Sequence, residues 1–284
     1  MHTDMPGHQT GDITGRVADP RDRFAFGDNW LDFVELVDER RVAQAEASLT
    51  GALGLTDLRR RTFLDIGCGS GLFSLAASRL GARVHSFDYD PSSVAACARL
   101  RDTFAPGADW TVEQGSILDG DYTRGLGVFD IVYSWGVLHH TGAMWQAIEA
   151  ASALAAPGGS LFISIYNDQG PASRLWWRVK RRYVHSGPLT RRALVAAGSV
   201  YFGARGTTAA VVKVMSGDTP GRARPRGMSA RHDLVDWIGG FPFEVASPEA
   251  VFSFLYERGF TLRHLKTCRG ALGCNEYVLT APRG

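Results

Sequence analysis

Short apolar segments alternate with segments of helical periodicity along most of this chain. The strand-like segments of the alternating part are Thr62–Ile66, Arg83–Phe87, Trp110–Glu113, Phe129–Ser134 and Leu161–Tyr166. The helical patterns cover about 31–53, 72–80, 90–101 and 144–155. Strands separated by helices return to one sheet in parallel through right-handed crossovers. The pattern therefore predicts an α/β fold with a parallel sheet.

Glycine and proline residues mark the boundaries of these elements. Gly81 is placed to end the second helix, and Asp90-Pro91 reads as the N-cap and first-turn proline of the third. Residues 157–159, Pro-Gly-Gly, are predicted to turn the chain into the fifth strand. The positions of these glycine and proline residues thus agree with the helices and strands that the periodicity predicts.

The C-terminal part follows a different pattern. Ser247-Pro248-Glu249 begins a helix that Gly259 ends, and two strands follow at Thr261–Lys266 and Glu276–Thr280. The glycine-containing turn between these strands is too short for a crossover, so the pair must be antiparallel. The sequence therefore predicts five parallel strands completed by an antiparallel hairpin.

Composition places the chain among globular proteins. Its 284 residues suffice for one α/β domain with an elaboration, and no apolar run approaches the roughly 20 residues that span a bilayer. Residues 1–23 are polar, lack the apolar region of a secretion signal, and are predicted to be a disordered lead. Four scattered cysteines without ligand spacing predict reduced thiols in a cytoplasmic protein and no metal site.

Charge is distributed unevenly along the chain. Residues 167–246 carry a net charge of +8, whereas the whole chain carries +2, so the remainder is acidic. This asymmetry marks residues 167–246 as a separate element with its own task. The predicted organisation is a lead at 1–23, a core at 24–166, an inserted cap at 167–246 and a completing segment at 247–284.

The most informative motif follows the first strand. Asp65-Ile66-Gly67-Cys68-Gly69-Ser70-Gly71 has the form D-x-G-x-G-x-G, and glycines allow a backbone to approach a ligand closely. A dinucleotide-binding turn needs its third glycine where Leu72 stands. The motif instead resembles motif I of the class I S-adenosylmethionine (SAM) dependent methyltransferases.

This resemblance covers roughly residues 55–166 and 247–284. It implies a Rossmann-like seven-stranded sheet with a C-terminal antiparallel hairpin and a cap inserted between strand five and the last helix. The closing segment of the cap runs from Arg226 to Glu244, and we call it the second cap block because the polar segment after strand five opens the cap. It resembles segments in a branch of bacterial methyltransferases that are likened to ubiquinone-pathway O-methyltransferases.

Asp88 ends strand two, where a carboxylate accepts hydrogen bonds from ribose hydroxyls in SAM as in NAD. The resemblance implies further SAM contacts at the methionine part, the adenine and the sulfonium. These are Asp65, Gly67, Cys68, Gly69 and Gly71 for the methionine part, Tyr89, Ser116 and Ile117 for adenine, and Ser134 and Trp135 beneath the sulfonium. Trp30 could close over the cofactor or could form a hydrophobic staple.

Three histidines are candidates for a general base. His232 lies in the cap and is followed by Asp233, which could orient it, while His139 and His140 follow strand four. Acceptor contacts are expected from the segment after strand five and from the second cap block, namely Tyr166, Asn167, Asp168, Asp233 and Trp237. A lid held by buried polar contacts is the alternative interpretation of that block.

The segment Arg174–Tyr183 combines basic residues with paired tryptophans. It suits an anionic or lipophilic acceptor, a membrane surface or RNA. A solvated helix with one buried aromatic stripe is the alternative.

The sequence is thus identified as a member of the SAM-dependent methyltransferases, acting on a small-molecule acceptor and most simply at oxygen. Methylation at nitrogen or carbon, RNA modification through residues 174–182, and a nicotinamide-dependent oxidoreductase are the alternatives. The acceptor, the methylated atom and the oligomeric state are left open.

Overall fold

A computed structural model gives the fold of this chain. It describes Phe24, Trp30, residues 33–215, Val235 and residues 237–283, with backbone alone for 204–215. The expected lead at 1–23, together with His232 and Asp233, lies outside the described residues.

Seven strands and eight helices build the described part of the chain. The strands are β1 Thr62–Ile66, β2 Arg83–Asp88, β3 Trp110–Gln114, β4 Phe129–Trp135, β5 Ala155–Tyr166, β6 Thr261–Lys266 and β7 Cys274–Thr280. The helices are α1 Glu39–Leu53, α2 Leu72–Arg79, α3 Pro91–Phe104, α4 Gly120–Leu126, α5 Met144–Ala153, α6 Pro171–Val184, α7 Pro188–Met215 and α8 Pro248–Tyr256. No helix among these residues is both long and apolar enough to cross a bilayer.

All seven strands form one sheet in the order β3-β2-β1-β4-β5-β7-β6. The first five are mutually parallel, and β7 lies antiparallel to both β5 and β6. The predicted seven-stranded α/β sheet with its antiparallel hairpin is therefore confirmed. Strand order reverses between β1 and β4, and open α/β sheets bind ligands outside the carboxyl ends of the strands at such a point.

Alternating side chains of each strand supply two hydrophobic layers. Phe63 packs on one face with α1 and α2, whereas its neighbour Leu64 packs on the other face with α5 and α8. Both side chains are fully buried. Helices therefore cover both faces of the sheet, and the carboxyl edge stays open for a site.

The inserted segment contributes a third hydrophobic cluster. Helices α6 and α7 form an antiparallel pair, because Trp176 stacks on Phe202 while Arg191 hydrogen-bonds the carbonyls of Tyr183 and Val184. We call this pair the α6–α7 hairpin. The chain then returns to the sheet through residues 237–246, which pair with the end of β5.

Several element boundaries differ from the sequence prediction, and one helix was not predicted. Strand β5 begins at Ala155, because the Pro-Gly-Gly of residues 157–159 forms a register shift within the strand. Helix α1 begins at Glu39, where the Asp38 carboxylate accepts the Arg41 amide at 2.8 Å. Helix α4 was not predicted. Its seven residues are too few to show a period, and only the Asp119 N-cap marks it.

Candidate active site

A cavity of about 640 Å³ opens at the carboxyl edge of the sheet. The ends of β1, β2 and β4, the loop after β3, helix α1 and residues 237 and 241 all line it. The volume lies in the range of small-molecule and cofactor sites. It therefore occupies the place that the reversal of strand order predicts.

The glycine-rich turn forms one wall of this cavity. Gly67, Gly69 and Gly71 all have positive φ, at 74°, 52° and 81°. Gly67 and Gly69 line the cavity, but Gly71 does not, which corrects the prediction of a cofactor contact there. A Cβ at Gly67 would lie 2.4 Å from Val137 Cγ1, and one at Gly71 would lie 2.6 Å from Cys97 Sγ. Both the backbone conformation and the close packing thus require glycine here.

Asp88 is held at the end of β2 by backbone amides. Its Oδ2 accepts the Gly69 amide at 3.0 Å, and its Oδ1 accepts the Asp90 amide at 2.9 Å. Burial raises the pKa of Asp88 to about 6, although the amide hydrogen bonds act in the opposite direction. The carboxylate lines the cavity in a fixed orientation, with lone pairs that can accept hydroxyl groups.

Asp65 lies deeper in the same wall. Ser74 donates its hydroxyl to the Asp65 carboxylate, and Ser86 and Trp110 extend this buried network. Burial raises the pKa of Asp65 to about 7, and the charge of Asp88 adds to the rise. The site therefore contains two carboxyl groups that titrate near neutral pH.

The wall beyond Asp88 combines apolar and polar groups. Ile117 is buried, Tyr89 is half-exposed, and both line the cavity with Ser116. The Ser116 hydroxyl accepts the Leu118 amide at 3.2 Å. These surfaces can hold a flat heteroaromatic ring.

Two tryptophans, Trp30 and Trp135, also line the cavity. The Trp30 ring lies against the glycine turn, because a Cβ at Gly69 would be 3.0 Å from its Cε2 atom. The Trp135 indole donates to Glu276 Oε1 at 3.3 Å, which fixes its ring at the end of β4.

Cys68 also lines the cavity, between the glycines of the turn. A hydrogen bond with Cys97, together with burial, raises the pKa of the Cys68 thiol. The residue is therefore a neutral, poorly reactive thiol.

Ser134 corrects one sequence prediction. Its side chain is fully buried and donates to the carbonyl of Ile66 at 3.1 Å, and it does not line the cavity. Successive side chains of a strand point to opposite faces of the sheet, so Trp135 faces the cavity while the Ser134 side chain points away from it. Ser134 is thus a support that joins β4 to the end of β1.

The adjacent histidines have different environments. His140 lines the cavity, and its Nδ1 lies 2.6 Å from the Pro242 carbonyl oxygen. A carbonyl can only accept, so Nδ1 carries the proton and the ring's lone pair is on Nε2. Burial, and then the charge of Lys180, lowers the pKa of His140 to about 3. This histidine is therefore neutral at physiological pH.

His139 corrects a second prediction. Its side chain is fully buried outside the cavity wall, and its ring centroid lies 3.9 Å from that of Tyr166. Such a position cannot reach an acceptor in the cavity, so His139 packs rather than acts as a base. His232, the first candidate base, and Asp233 lie outside the described residues.

The expected acceptor contacts also divide. Tyr166 and Trp237 line the cavity, but Asn167 and Asp168 do not, which corrects the prediction for both. Asn167 is buried and accepts the Asn275 side-chain amide at 3.0 Å. Asp168 is exposed, and its carboxylate accepts the Gly170 amide at 2.8 Å. Both residues shape the turn into α6.

Several residues that sequence analysis did not select also line the site. Arg41 and Gln44 come from α1, Phe241 comes from the cap and Cys274 comes from the start of β7. The Arg41 guanidinium donates to Asp38 Oδ2 at 3.0 Å, which keeps it at the start of the helix. Arg41 and Gln44 are three residues apart and therefore lie on the same face of α1. Their spacing alone does not show whether that face lines a cavity or is exposed to solvent.

The described part of the chain contains no group of three His, Cys, Asp or Glu side chains arranged to hold a metal. The polar groups that do converge are the carboxyl groups of Asp65 and Asp88, the backbone amides of the glycine turn and the neutral imidazole of His140. This set fits a cofactor with ribose hydroxyls and an adenine-like ring.

Comparison with known proteins agrees with this geometry. Residues 38–197 match the family described as "Methyltransferase domain". The chain is 37% identical over 112 residues to the ubiquinone biosynthesis O-methyltransferase of Xanthomonas oryzae pv. oryzae, and 37% identical over 105 residues to that of Xanthomonas campestris pv. campestris. These alignments cover 39% and 37% of this chain but only 45% and 42% of the relatives.

Among solved structures, an O-methyltransferase family protein from Burkholderia thailandensis has the same fold. Its TM-score is 0.52 at 16% identity, over 93% of this chain and 60% of that one. The family match covers more than half of the chain. This protein therefore belongs to the methyltransferase domain family and has the class I SAM-dependent methyltransferase fold.

Proposed function

We propose that this protein transfers a methyl group from SAM to an oxygen atom of a small-molecule acceptor. One observation carries the proposal: a single cavity joins the Asp88 and glycine-turn wall to an aromatic wall that contains His140. The first wall suits a nucleoside cofactor, and the second leaves room for an acceptor beside it. The O-methyltransferases named above support the choice of oxygen.

The first wall would hold the cofactor. Asp88 would accept the ribose hydroxyls, Ile117 and Tyr89 would cover the adenine, and the glycine turn would contact the methionine part. Arg41 and Asp65 carry the charges that suit a carboxylate and an ammonium group. Bound SAM would supply an electrophilic methyl group on a sulfonium.

His140 is the best-placed group for the acceptor's proton among the described residues. The Pro242 carbonyl fixes its tautomer, so that Nε2 offers the lone pair. A pKa near 3 makes it a weak base, which suits an acceptor hydroxyl that is held by a hydrogen bond and deprotonated only as the methyl arrives. His232 in the cap is the alternative base.

We assign acceptor recognition to the cap, residues 167–246, which provides Trp237 and Phe241 to the cavity. Those aromatic surfaces favour an acceptor with an apolar or aromatic part. The four cysteines are free thiols, which favours a cytoplasmic reaction.

Calorimetric titration with SAM, S-adenosylhomocysteine and NAD tests the cofactor assignment. The first two should bind and NAD should not; binding of NAD alone would overturn the proposal. Incubation with methyl-labelled SAM and a panel of phenols, carboxylic acids and amines then tests the acceptor atom. Labelling of amines alone would replace oxygen by nitrogen.

A further inference from the structure

The outer surface of the α6–α7 hairpin has an unusual composition. The two helices contain nine basic residues and no aspartate or glutamate. Six arginines among the described side chains are exposed: Arg174, Arg178, Arg181, Arg182, Arg191 and Arg192. None of them forms an ion pair within the described part of the chain. The surface therefore carries an uncompensated positive charge.

The buried side of α6 does not account for this charge. Ser173, Trp176, Lys180 and Tyr183 form one stripe that packs inward, as the alternative interpretation of this segment predicts. Arg174, Arg178 and Arg182 are spaced by four residues and form a separate outer stripe. Trp176 and Tyr183 are thus structural, while Arg174, Arg178 and Arg182 lie on the outer stripe.

Large aliphatic side chains are exposed between these charges. Leu189 is 81% exposed, Val200 73% and Leu175 59%. On α7, Leu189, Ala193, Ala196 and Val200 follow a four-three-four spacing and are all exposed. A second stripe, with Leu194, Val195 and Phe202, faces inward. Over residues 188–203, where its side chains are described, helix α7 is therefore apolar on two faces, and the described residues cover one of them.

We propose that the outer surface of the α6–α7 hairpin docks on an anionic lipid bilayer. Lipid phosphates would pair with the arginines, and the exposed leucine and valine side chains would enter the interface between headgroups and acyl chains. Because this proposal concerns a surface outside the cavity, it is independent of the proposed methyl transfer.

The observations favour a bilayer over two other partners. Single-stranded RNA is held largely by stacking on exposed aromatic rings, whereas Trp176 and Tyr183 are buried and Tyr201 on α7 is 39% exposed. Among the described residues of this surface, the most exposed apolar side chains are the aliphatic Leu189, Val200 and Leu175. A second copy of the same surface would bring six arginines against six others, which repels. An anionic bilayer satisfies both the charge and the aliphatic side chains.

The surface also lies close to the aromatic side of the cavity. The Arg181 guanidinium lies 5.2 Å from the Trp177 ring centroid, and Trp177 lies 6.0 Å from Phe241, which lines the cavity. Tryptophan beside arginine is a typical composition at a membrane interface. Docking by this surface would place the cavity near the lipid.

Sedimentation with phospholipid vesicles tests the proposal on the full chain. Wild type should bind vesicles that contain phosphatidylglycerol, should bind pure phosphatidylcholine weakly, and should lose affinity as salt is added. Replacing Arg174, Arg178, Arg182 and Arg192 by glutamine should weaken binding by about several hundredfold, since each basic residue contributes about fivefold. Leu189→Ser with Val200→Ser should weaken it at least about tenfold.

The matched control replaces four exposed arginines near the amino ends of the strands, Arg60, Arg61, Arg83 and Arg124, by glutamine. It changes net charge by the same amount and should keep most of the vesicle affinity. Circular dichroism and S-adenosylhomocysteine titration check that each variant is folded.

Three outcomes would overturn the proposal. The control and the surface variant could lose vesicle affinity equally, or the protein could bind RNA tightly and not bind vesicles. Finally, the protein could form a dimer that Leu189→Ser and Val200→Ser dissociate, with no binding to vesicles.

Discussion

The backbone amide of Gly69 donates to Oδ2 of Asp88 at 3.0 Å, and this bond joins the glycine turn after β1 to the end of β2. The two motifs are nineteen residues apart in the chain. The bond orients the carboxylate before any ligand arrives, and it fixes the turn at the distance where its amides face the cavity. The orientation of the Asp88 carboxylate and the conformation of the glycine turn are therefore coupled.

Replacing Asp88 by asparagine should weaken S-adenosylhomocysteine binding about ten- to hundredfold. Asparagine keeps one acceptor oxygen for Gly69 but removes the charge-assisted bonds to ribose hydroxyls. Calorimetric titration measures the loss. Asp102→Asn, at an exposed carboxylate on α3, is the control and should bind as wild type. Wild-type affinity in Asp88→Asn would remove Asp88 from the ribose site.

Replacing Gly69 by valine should abolish cofactor binding while the sheet stays folded. A side chain there meets the Trp30 ring within 3.0 Å, and its φ of 52° disfavours a β-branched residue. Gly69→Ala should bind more weakly than wild type, and Trp30→Ala should restore part of the loss by opening space. Equal affinities for the single and the double variant would show that backbone strain, not Trp30, is the cause.

Replacing His140 by alanine should lower kcat on the order of a hundredfold with little change in cofactor affinity, because the lost group faces the acceptor. His139→Ala should instead lower the free energy of unfolding by about 3 kcal/mol, since it removes a fully buried ring beside Tyr166. Steady-state kinetics and urea unfolding separate the two effects. A selective loss of kcat in His232→Ala would move the base to the cap.

The free energy of unfolding of the ligand-free protein should contain a contribution from Asp65 that falls as pH rises. Its pKa is about 7 in the folded state, whereas the ordinary pKa of an aspartate is 3.8, so the folded state binds the extra proton between about pH 4 and 7. Stability from this group is present below pH 4 and is lost as pH rises towards 7, by up to roughly 4 kcal/mol.

Asp65→Asn should remove this slope, because asparagine does not titrate. Urea unfolding of both proteins at several pH values measures the difference, which should grow in favour of the variant towards neutral pH. Parallel curves for wild type and variant would show that Asp65 does not hold its proton in the folded state.

Local patterns were sufficient for the sheet and for the cavity wall that Asp88 and the glycine turn form. The glycine turn, Asp88, Ser116 and Ile117 are contiguous with strand ends, and strand direction alone brings those ends to one edge. It was less predictable which side chains of a strand point into the cavity. Ser134 and Trp135 are neighbours, yet the pleat of β4 sends one into the sheet and the other into the cavity.

The sequence by itself determined the α/β class, the parallel direction of the first five strands and the glycine turn, because periodicity and the special φ of glycine are local properties. Only the tertiary structure decided between His139 and His140, since the Pro242 carbonyl that orients His140 is about a hundred residues away. It also placed Arg41 in the cavity and left the arginines of α6 outside. Those outcomes depend on packing between distant segments, which no local pattern encodes.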